Sequence, residues 1–389
     1  MRDATMPKVS RREFSVGLAA SLTGIPVHGA VRVPRRHVII VGAGIMGASI
    51  ASHLARRGAQ VTILEKAGPA AGATQGSFAW INAYDKKPAG YYELNLAGVM
   101  GWRRVARELG SALTVQWGGS VQWFDAPDKA EALRTTVSER QRMGYPIRLI
   151  TADEVRALLP GVETGPVAVA SFAEIEATVD PLQATRALLA DAQRLGARLI
   201  SGCDVLSLES RDGRIDAVIT NRGRMRADSY VLAAGGGMMD LARQVGIMAP
   251  IIEGSGVLAH SKPMPRLIDR VVLLPEFSIK QNPDGRIVAG AHFAGSRKLL
   301  PTREFGEQTL ARAAHFLPML KWAQLDFMTL GKPAMRTDGL PVAGSTVRYR
   351  NLFLAVMNSG VTLAPAIGQL AATEVLDGVL TDLLDPYRV

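Results

Sequence analysis

Continuous hydrophobic runs, separated by glycines and by amphipathic stretches, mark the start of the folded part of the chain. Residues 37–41 form one such run, residues 48–57 have a helical pattern, and residues 60–64 form a second run. Uninterrupted hydrophobic runs are typical of strands that are buried on both faces of a parallel sheet. The pattern therefore predicts a strand-helix-strand unit over these residues.

Hydrophobic runs and turn residues further along predict more elements. The predicted helices span residues 90–109, 127–143 and 182–195. The predicted strands span residues 197–201, 230–234 and 352–356. Asp180 followed by Pro181 is typical of the first turn of a helix. Because the strand at 230–234 returns after a long excursion and ends in three glycines, we expect it to complete the sheet begun at residue 37.

Shorter strand-like runs fill the stretch between residues 251 and 335. They span residues 257–261, 271–274, 277–281 and 286–289. Asp284-Gly285 is a typical pair for a tight turn between two antiparallel strands. The stretch therefore predicts an antiparallel sheet, which would cover a bound ligand and exclude water from it.

A glycine motif lies between the first strand and the first helix. It reads Gly42-Ala43-Gly44-Ile45-Met46-Gly47, which is the G-x-G-x-x-G pattern of dinucleotide sites. The first glycine permits the turn, the second lets the backbone approach a pyrophosphate, and the third lets the helix pack on the strand. Glu65 follows Gly47 by 18 residues, near the spacing of about 20 at which a carboxylate binds ribose hydroxyls. These residues predict a dinucleotide site without a 2′-phosphate, and both NAD and FAD satisfy them.

Three later segments favour FAD. Small and polar residues at 72–80 follow the strand that bears Glu65, where a flat ring system can lie against the backbone. The strand at 230–234 then ends in Gly235-Gly236-Gly237. Residues 358–365 open a final helix, whose free N–H groups near 360–363 suit a flavin edge that becomes anionic on reduction.

The predicted fold class is α/β, with a discontinuous Rossmann-type FAD-binding domain and an α+β substrate domain built on an antiparallel sheet. The FAD-binding domain is predicted at 37–84, 176–250 and 336–389. The substrate domain, or cap, is predicted at 85–175 and 251–335.

In this order, the motifs resemble the D-amino-acid oxidase superfamily of FAD-dependent oxidoreductases, the group with glycine oxidase, sarcosine oxidase and D-amino-acid dehydrogenase. The resemblance covers nearly everything from His37 onward. It implies non-covalent FAD, with Val205 contributing backbone contacts to adenine. The cofactor-binding residues that we expect are Gly42, Gly44, Ile45, Met46, Gly47, Glu65, Lys66, Thr74, Ser77, Phe78, Ala79, Trp80, Val205, Ala234, Gly235, Gly360, Val361, Thr362 and Leu363.

The resemblance also implies three catalytic candidates. Arg336, before Asp338, matches an arginine that clamps the substrate carboxylate in glycine-oxidase-like members, and a guanidinium offers a planar two-donor fork. Asn358 stands where glycine oxidase has a second arginine, which implies weaker carboxylate binding or a different substrate. Thr362 stands where monomeric sarcosine oxidases carry a lysine, which argues against fast reaction with oxygen. Their flavin-linking cysteine has no counterpart near Arg336.

Other side chains have simpler interpretations. Trp80 is expected to form a wall of the pocket. His260 and His292 lie on or near strands of the cap and could face the pocket, although a histidine on a strand is more often structural. Lys262 and Lys280 are interpreted as solvated charges.

Composition narrows the function classes. The chain has 389 residues, 48% of them hydrophobic, which excludes a disordered tail or a disulfide-stapled mini-protein. Its single cysteine, Cys203, cannot form an internal disulfide, and its six histidines are scattered, so no metal site is expected. The net charge is +10, but the first 36 residues hold half of it. The body is therefore only mildly basic, and nucleic acid is not an expected partner.

The N-terminal residues 1–30 are predicted to be an export signal. Ser10-Arg11-Arg12-Glu13-Phe14 precedes an uncharged stretch at 15–27, as in twin-arginine signals. That stretch is too short for a stable transmembrane anchor. Because the twin-arginine route carries folded proteins, it suits an enzyme that captures its cofactor before export to the periplasm. The alternative is a basic leader on a cytoplasmic protein.

These observations predict oxidation of a C–N bond in an amino acid or amine by hydride transfer to flavin, giving an imine that hydrolyses. Oxygen or a quinone would accept the electrons. Three alternatives remain: oxidation of a 2-hydroxy acid, a non-catalytic flavoprotein subunit of a redox complex, and an NAD-only dehydrogenase. The sequence leaves the oligomeric state open.

Overall fold

The strand-helix-strand unit predicted at the start of the folded chain is present in the computed structural model. The structure describes residues 35–274, 277–291 and 300–389, and residues 36–389 form one compact unit. The predicted export signal and His292 lie outside the described residues.

Twenty-two strands and eight α-helices are present in the described ranges. The strands are β1 (His37–Val41), β2 (Gln60–Glu65), β3 (Trp80–Ile81), β4 (Val115–Gln116), β5 (Ser120–Phe124), β6 (Ile147–Ile150), β7 (Val169–Ala173), β8 (Ala177–Val179), β9 (Arg198–Ser201), β10 (Val205–Arg211), β11 (Arg214–Thr220), β12 (Gly223–Met225), β13 (Ser229–Leu232), β14 (Ile251–Glu253), β15 (Gly256–Ser261), β16 (Val271–Leu273), β17 (Phe277–Gln281), β18 (Ile287–Ala291), β19 (Leu325–Gly331), β20 (Ala334–Arg336), β21 (Val342–Ser345) and β22 (Leu352–Val356). The helices are α1 (Ile45–Arg56), α2 (Ala89–Leu109), α3 (Pro127–Arg142), α4 (Ala152–Leu158), α5 (Pro181–Arg194), α6 (Met238–Gln244), α7 (Arg303–Phe316) and α8 (Gly360–Asp377).

A six-stranded sheet with the order β21-β22-β13-β1-β2-β9 forms the nucleotide-binding part. β1 lies at its centre, parallel to β2 and β13, and only the edge strand β21 runs antiparallel. Alternate residues of β1 enter different cores. Val38 and Ile40 pack in the core that contains α1, α5 and α8, whereas Ile39 and Val41 pack toward β10, β11 and α6. Because both faces are covered, the strand is hydrophobic throughout.

An eight-stranded sheet with the order β19-β15-β18-β17-β16-β5-β7-β6 forms the second layer. Its strands come from both stretches that were predicted to form the cap. All its pairings are antiparallel except the one between β16 and β5, which is parallel. The mixed architecture with a Rossmann-type sheet and a mainly antiparallel second sheet confirms the predicted fold class.

Helix α2 lies within the stretch assigned to the cap, but it packs on α8 of the nucleotide-binding part. Trp102 Nε1 donates a hydrogen bond to the Val361 carbonyl at 2.8 Å. A Cβ atom on Gly98 would lie 2.3 Å from the Thr362 carbonyl oxygen, so glycine is what allows the helices to approach. The sequence pattern predicted the helix correctly but not its packing partner.

Candidate functional site

A cavity of about 970 Å³ lies where the carboxyl ends of β1, β2, β13 and β22 face the eight-stranded sheet. We call the part around Gly44, Glu65, Cys203 and Val205 the nucleotide end. The part around Tyr84, Lys86, Gln122, Leu258 and Ser278 is called the sheet end, because strands of the eight-stranded sheet form one of its walls.

Two glycines of the motif are required by close backbone contacts. Gly42 has φ +105°, and a Cβ atom there would lie 2.5 Å from the Ala233 carbonyl oxygen. A Cβ atom on Gly47 would lie 2.0 Å from the Gly42 carbonyl oxygen, so this residue keeps the start of α1 against the turn. Gly47 does not line the cavity, and its role is packing.

The start of α1 faces the cavity with its positive end unblocked. Its N-cap residue, Gly44, forms no side-chain hydrogen bond, and its first turn carries no acidic residue. The Thr74 hydroxyl accepts a hydrogen bond from the Ile45 N–H at 3.1 Å and so fixes the loop beside the helix. A helix start of this kind binds the negative charge of a pyrophosphate.

Glu65 is held at the end of β2 by backbone donors. Its Oε2 accepts from the Ala43 N–H at 2.8 Å, and its Oε1 accepts from the Ala67 N–H at 2.9 Å. Each carboxylate oxygen can accept a further hydrogen bond, which is what ribose hydroxyls require. The glycine turn, the open helix start and this carboxylate together fit the ADP part of FAD.

Most of the residues predicted to bind the cofactor are brought together in the cavity wall. Those that line it are Gly42, Gly44, Ile45, Met46, Glu65, Lys66, Thr74, Ser77, Phe78, Ala79, Trp80, Val205, Ala234, Gly235, Gly360, Val361 and Thr362. Leu363 is instead fully buried in the hydrophobic core and does not line the cavity.

Sequence reasoning missed several polar residues of the wall. At the nucleotide end these are Cys203, Asp204, Asp240 and Gln244, and toward the sheet end they are Asn82, Tyr84, Asp85, Lys86, Gln122 and Ser278. Lys86 lies in the loop that follows β3, six residues after Trp80, and this closeness in sequence was the available signal. Gln122 and Ser278 gave no signal, because only the tertiary arrangement brings their strands to the cavity.

Thr362 and Asn358 both line the cavity, in different surroundings. The buried Thr362 hydroxyl donates to the Trp80 carbonyl at 3.2 Å and accepts from the Asn82 N–H at 3.3 Å. These hydrogen bonds connect the start of α8 to strand β3 and to the residue that follows it. Asn358 is exposed and precedes α8, so its side chain is accessible to a ligand.

Arg336 is not brought into the cavity. Its guanidinium donates to Asp338 Oδ2 at 2.6 Å and to the Pro386 carbonyl at 3.3 Å, and the residue is absent from the cavity wall. The pairing of β20 with β14 holds it there. The expected clamp is therefore not formed in this structure, because the two terminal nitrogens of the guanidinium already donate to Asp338 and to the Pro386 carbonyl.

Trp80 lines the cavity as expected and is held from behind by a buried acid. Its Nε1 donates to Glu176 Oε2 at 2.7 Å, and the Tyr145 hydroxyl donates to the other oxygen of Glu176. Burial raises the pKa of Glu176 to about 7, against the opposing effect of hydrogen bonds from Ser120, Tyr145 and Trp80. The hydrogen bond to Glu176 thus orients the Trp80 ring at the cavity wall.

His260, the candidate histidine on the eight-stranded sheet, contacts neighbouring side chains of that sheet rather than the cavity. His260 stacks on Phe327 with ring centroids 4.4 Å apart, and its Nε2 lies 2.9 Å from the Thr329 hydroxyl. Burial, with a smaller contribution from Lys280, lowers the pKa of His260 to about 4, so the ring is neutral. It does not line the cavity.

Of the two lysines interpreted as solvated, only Lys262 is exposed. The interpretation was wrong for Lys280, which is 1% exposed and donates to the Val179 carbonyl at 2.6 Å. All of β17 is buried because the sheet is covered on both faces there. Burial lowers the pKa of Lys280 to about 7.

Two further findings concern the described residues only. They contain no group of three or more His, Cys, Asp or Glu side chains that could hold a metal ion. None of their helices has both the length and the hydrophobicity needed to span a bilayer.

Residues 37–374 match the DAO family, FAD dependent oxidoreductase, and the chain therefore belongs to this family of FAD-dependent enzymes. Among curated relatives, glycine oxidase of Bacillus licheniformis is 26% identical, over 91% of this chain and 97% of that protein. Mitochondrial dimethylglycine dehydrogenase of Homo sapiens is 25% identical over 91% of this chain, which spans only 44% of that longer protein.

Solved structures show the same fold. Glycine oxidase from Geobacillus kaustophilus superposes with a TM-score of 0.82 at 23% identity, covering 91% of this chain and 98% of that one. L-proline dehydrogenase from P. horikoshii superposes with a TM-score of 0.81 at 24% identity, covering 91% and 97%.

Proposed function

We propose that this protein oxidises the C–N bond of a small amino acid or amine. A hydride leaves the carbon that bears nitrogen, the nitrogen loses a proton, and the resulting imine is hydrolysed by water. FAD, when bound, accepts the hydride. The observation that carries the proposal is one continuous cavity that extends from the nucleotide end to the sheet end. Relatives named glycine oxidase, dimethylglycine dehydrogenase and 4-methylaminobutanoate oxidase support the substrate class.

The chain's own contribution is orientation and exclusion of water. Phe78, Leu258 and Leu273 pack in one buried cluster at the cavity wall. Trp80, fixed by Glu176, and Thr362, which is bonded to the Trp80 carbonyl, hold the loop and the start of α8 together. A cluster of buried apolar side chains beside the reacting atoms favours hydride transfer because it keeps water away from them.

The proposal is tested by anaerobic titration of the purified yellow protein. Amino acids, N-methyl amino acids and simple amines are added in turn, and the flavin absorbance near its visible maximum is followed. Bleaching by one of these compounds is the expected result. Bleaching only by 2-hydroxy acids would show that the substrate is an alcohol rather than an amine. No bleaching by any compound at any pH would favour a non-catalytic flavoprotein.

Non-covalent FAD is part of the same proposal. Cys203 is buried at the nucleotide end, where its N–H donates to the Glu65 carbonyl at 3.0 Å, and it is the single cysteine of the chain. A thiol in that place is beside the ribose site rather than the flavin ring. Precipitation with acid is expected to leave the yellow colour in the supernatant, and colour in the pellet would contradict the proposal.

We also propose that residues 1–30 direct export of the folded enzyme to the periplasm, with oxygen or a quinone as electron acceptor. The pair Arg11-Arg12 followed by an uncharged stretch supports the first part. Changing both arginines to lysine is expected to retain the FAD-loaded protein in the cytoplasm. Periplasmic appearance of that variant would show that the leader acts differently.

A further inference from the structure

We infer that Lys86 binds the carboxylate of the substrate, so that the substrates are amino acids rather than simple amines. This inference rests on the proposed function. It concerns a residue that the sequence did not single out, at the sheet end of the cavity.

The first observation is the charge of the cavity wall. Among the described residues that line it, the acidic ones are Glu65, Asp85, Asp204 and Asp240, and the basic ones are Lys66 and Lys86. No arginine belongs to this described wall. Lys66 follows Glu65 directly and lies at the nucleotide end. Lys86 is therefore the basic side chain that the described wall offers to a ligand at the sheet end.

The second observation is that Lys86 has no ionic partner among the described residues. It is partly buried, yet no carboxylate lies within 4.0 Å of its ammonium group in that part of the chain. The neighbouring acids are already engaged. Asp85 pairs with Arg140 and, at 3.9 Å, with Lys87, and Glu176 accepts from Trp80 and Tyr145.

An unpaired ammonium in partly buried surroundings has an energetic cost. Burial lowers the pKa of Lys86, while the more distant charges of Glu176 and Asp85 raise it. Such a group is stabilised when a ligand brings an opposite charge to it. A carboxylate is the matching group, because its oxygens accept the hydrogen bonds that an ammonium donates.

Neighbouring polar side chains suit the same ligand. The Tyr84 hydroxyl donates to Gln122 Oε1 at 3.2 Å, which orients the Gln122 amide. The amide nitrogen of Gln122 then remains available as a second donor on the wall. Lys86 and Gln122 would hold a carboxylate between the loop after β3 and strand β5.

Placement of a cation there also assists the chemistry. Hydride leaves readily only when the neighbouring amine is unprotonated, because the nitrogen lone pair supports the developing imine. A positive charge near the carboxylate site disfavours the protonated amine. Lys86 would thus select the carboxylate and at the same time favour the reactive form of the amine.

The test compares Lys86→Met with Lys87→Met in the FAD-loaded protein. Lys87 is the adjacent, exposed lysine outside the cavity wall, so it is a matched control. Benzoate and its uncharged analogue benzamide are titrated into each variant, and the perturbation of the flavin spectrum gives the two Kd values. We expect Lys86→Met to weaken benzoate binding by about 30-fold or more, as for loss of one partner from a desolvated charge pair. Benzamide binding, and both ligands with Lys87→Met, should change by less than about twofold.

A second arm uses Lys86→Arg, which keeps the charge and should retain most of the benzoate affinity. Equal benzoate affinity in wild type and Lys86→Met, or no benzoate binding to the wild type, would overturn the assignment. Failure of the proposed function would be distinguishable from failure of this assignment, because no amino acid or amine would then bleach the flavin of the wild-type protein. If bleaching occurs, Lys86→Met should raise KM for amino acids and leave KM for simple amines unchanged.

Discussion

Close backbone contacts determine which substitutions the glycine motif at the nucleotide end tolerates. Gly44 and Gly47 both belong to the motif, but they face different neighbours. A Cβ atom on Gly44 would lie 3.2 Å from the Thr74 hydroxyl, a side-chain atom that can shift. A Cβ atom on Gly47 would lie 2.0 Å from the Gly42 carbonyl oxygen, a backbone atom that cannot shift in this way.

We therefore expect Gly47→Ala to give colourless or insoluble protein, because the start of α1 can no longer pack on the turn. Gly44→Ala should fold and bind FAD more weakly, because its methyl group intrudes on the pyrophosphate site. FAD content per folded protein, measured from absorbance, checks both. Stoichiometric FAD in Gly47→Ala would contradict the assigned cradle.

Glu176 gives a prediction about pH. Its pKa in the folded protein is raised by burial to about 7, above the ordinary value of 4.5. The folded state therefore holds a proton that the unfolded state has released, and this contribution to stability is lost as the pH rises from 4.5 through 7. Glu176→Gln, which stays neutral, should flatten the stability profile in that window, where each pKa unit corresponds to about 1.4 kcal/mol.

The measurement is urea unfolding of both proteins at several pH values between 4.5 and 8. The amide oxygen of the glutamine can accept from the indole N–H of Trp80, and its amide nitrogen can donate to the hydroxyl oxygen of Tyr145, so the fold is expected to survive. We expect the unfolding free energy of the wild type to fall more steeply with pH than that of the variant. Equal slopes would show that Glu176 does not hold the proton.

At the scale of elements, the contact between α2 and α8 positions the cavity wall. α8 begins with Gly360, Val361 and Thr362 in that wall, and α2 packs against the same turn. Two glycines of α2 offer a comparison. A Cβ atom on Gly98 would lie 2.3 Å from the Thr362 carbonyl oxygen, whereas on Gly90 the nearest atom would be at an ordinary 3.7 Å.

Gly90→Ala is expected to be neutral or to stabilise the protein by up to about 1 kcal/mol, since alanine favours helix more than glycine. Gly98→Ala should instead destabilise it by about 1–3 kcal/mol, as for overpacking, and should weaken FAD binding. Thermal unfolding with and without added FAD measures both effects. Equal stability of the two variants would show that α2 and α8 separate without cost.

At the scale of the whole molecule, one buried ion pair ties the last residues to the nucleotide-binding part. Glu374 on α8 accepts hydrogen bonds from Arg388, from the Ser345 N–H of β21 and from Thr381. Burial opposes its ionisation, but these donors outweigh it and lower the pKa of Glu374 to about 2. The pair contributes stability above pH 4.5 that is lost as the pH falls toward 2.

Arg388→Met should destabilise the protein by about 3–5 kcal/mol at neutral pH, because it leaves a buried carboxylate without its partner. Glu374→Gln together with Arg388→Met should recover part of that loss, since the double variant has no buried charge. Unfolding free energies of the wild type, the two single variants and the double variant form the cycle that tests this. Additive losses would show that the two residues do not interact.

The sequence by itself determined the main strands and helices of the nucleotide-binding part and the nucleotide end of the site, but not the strands β5, β6 and β7 of the eight-stranded sheet. The glycine motif, Glu65 and the loop at 74–80 act through local backbone geometry, so their pattern can be read from residues that are near one another in the chain. For the same reason the cap of α5 by Asp180 was predicted correctly, and Asp180 Oδ1 accepts from the N–H groups of Leu182 and Gln183.

Only the tertiary structure decided the sheet end. Arg336 was expected there, but a pairing between β14 and β20 and a bond to Asp338 hold it elsewhere. Gln122 and Ser278 line the cavity because β5 and β17 belong to one sheet that is built from two distant stretches of the chain. The burial of Lys280 has the same origin. Side chains that meet through strand order and helix packing carry no local signal, because the energy that places them comes from contacts between residues far apart in sequence.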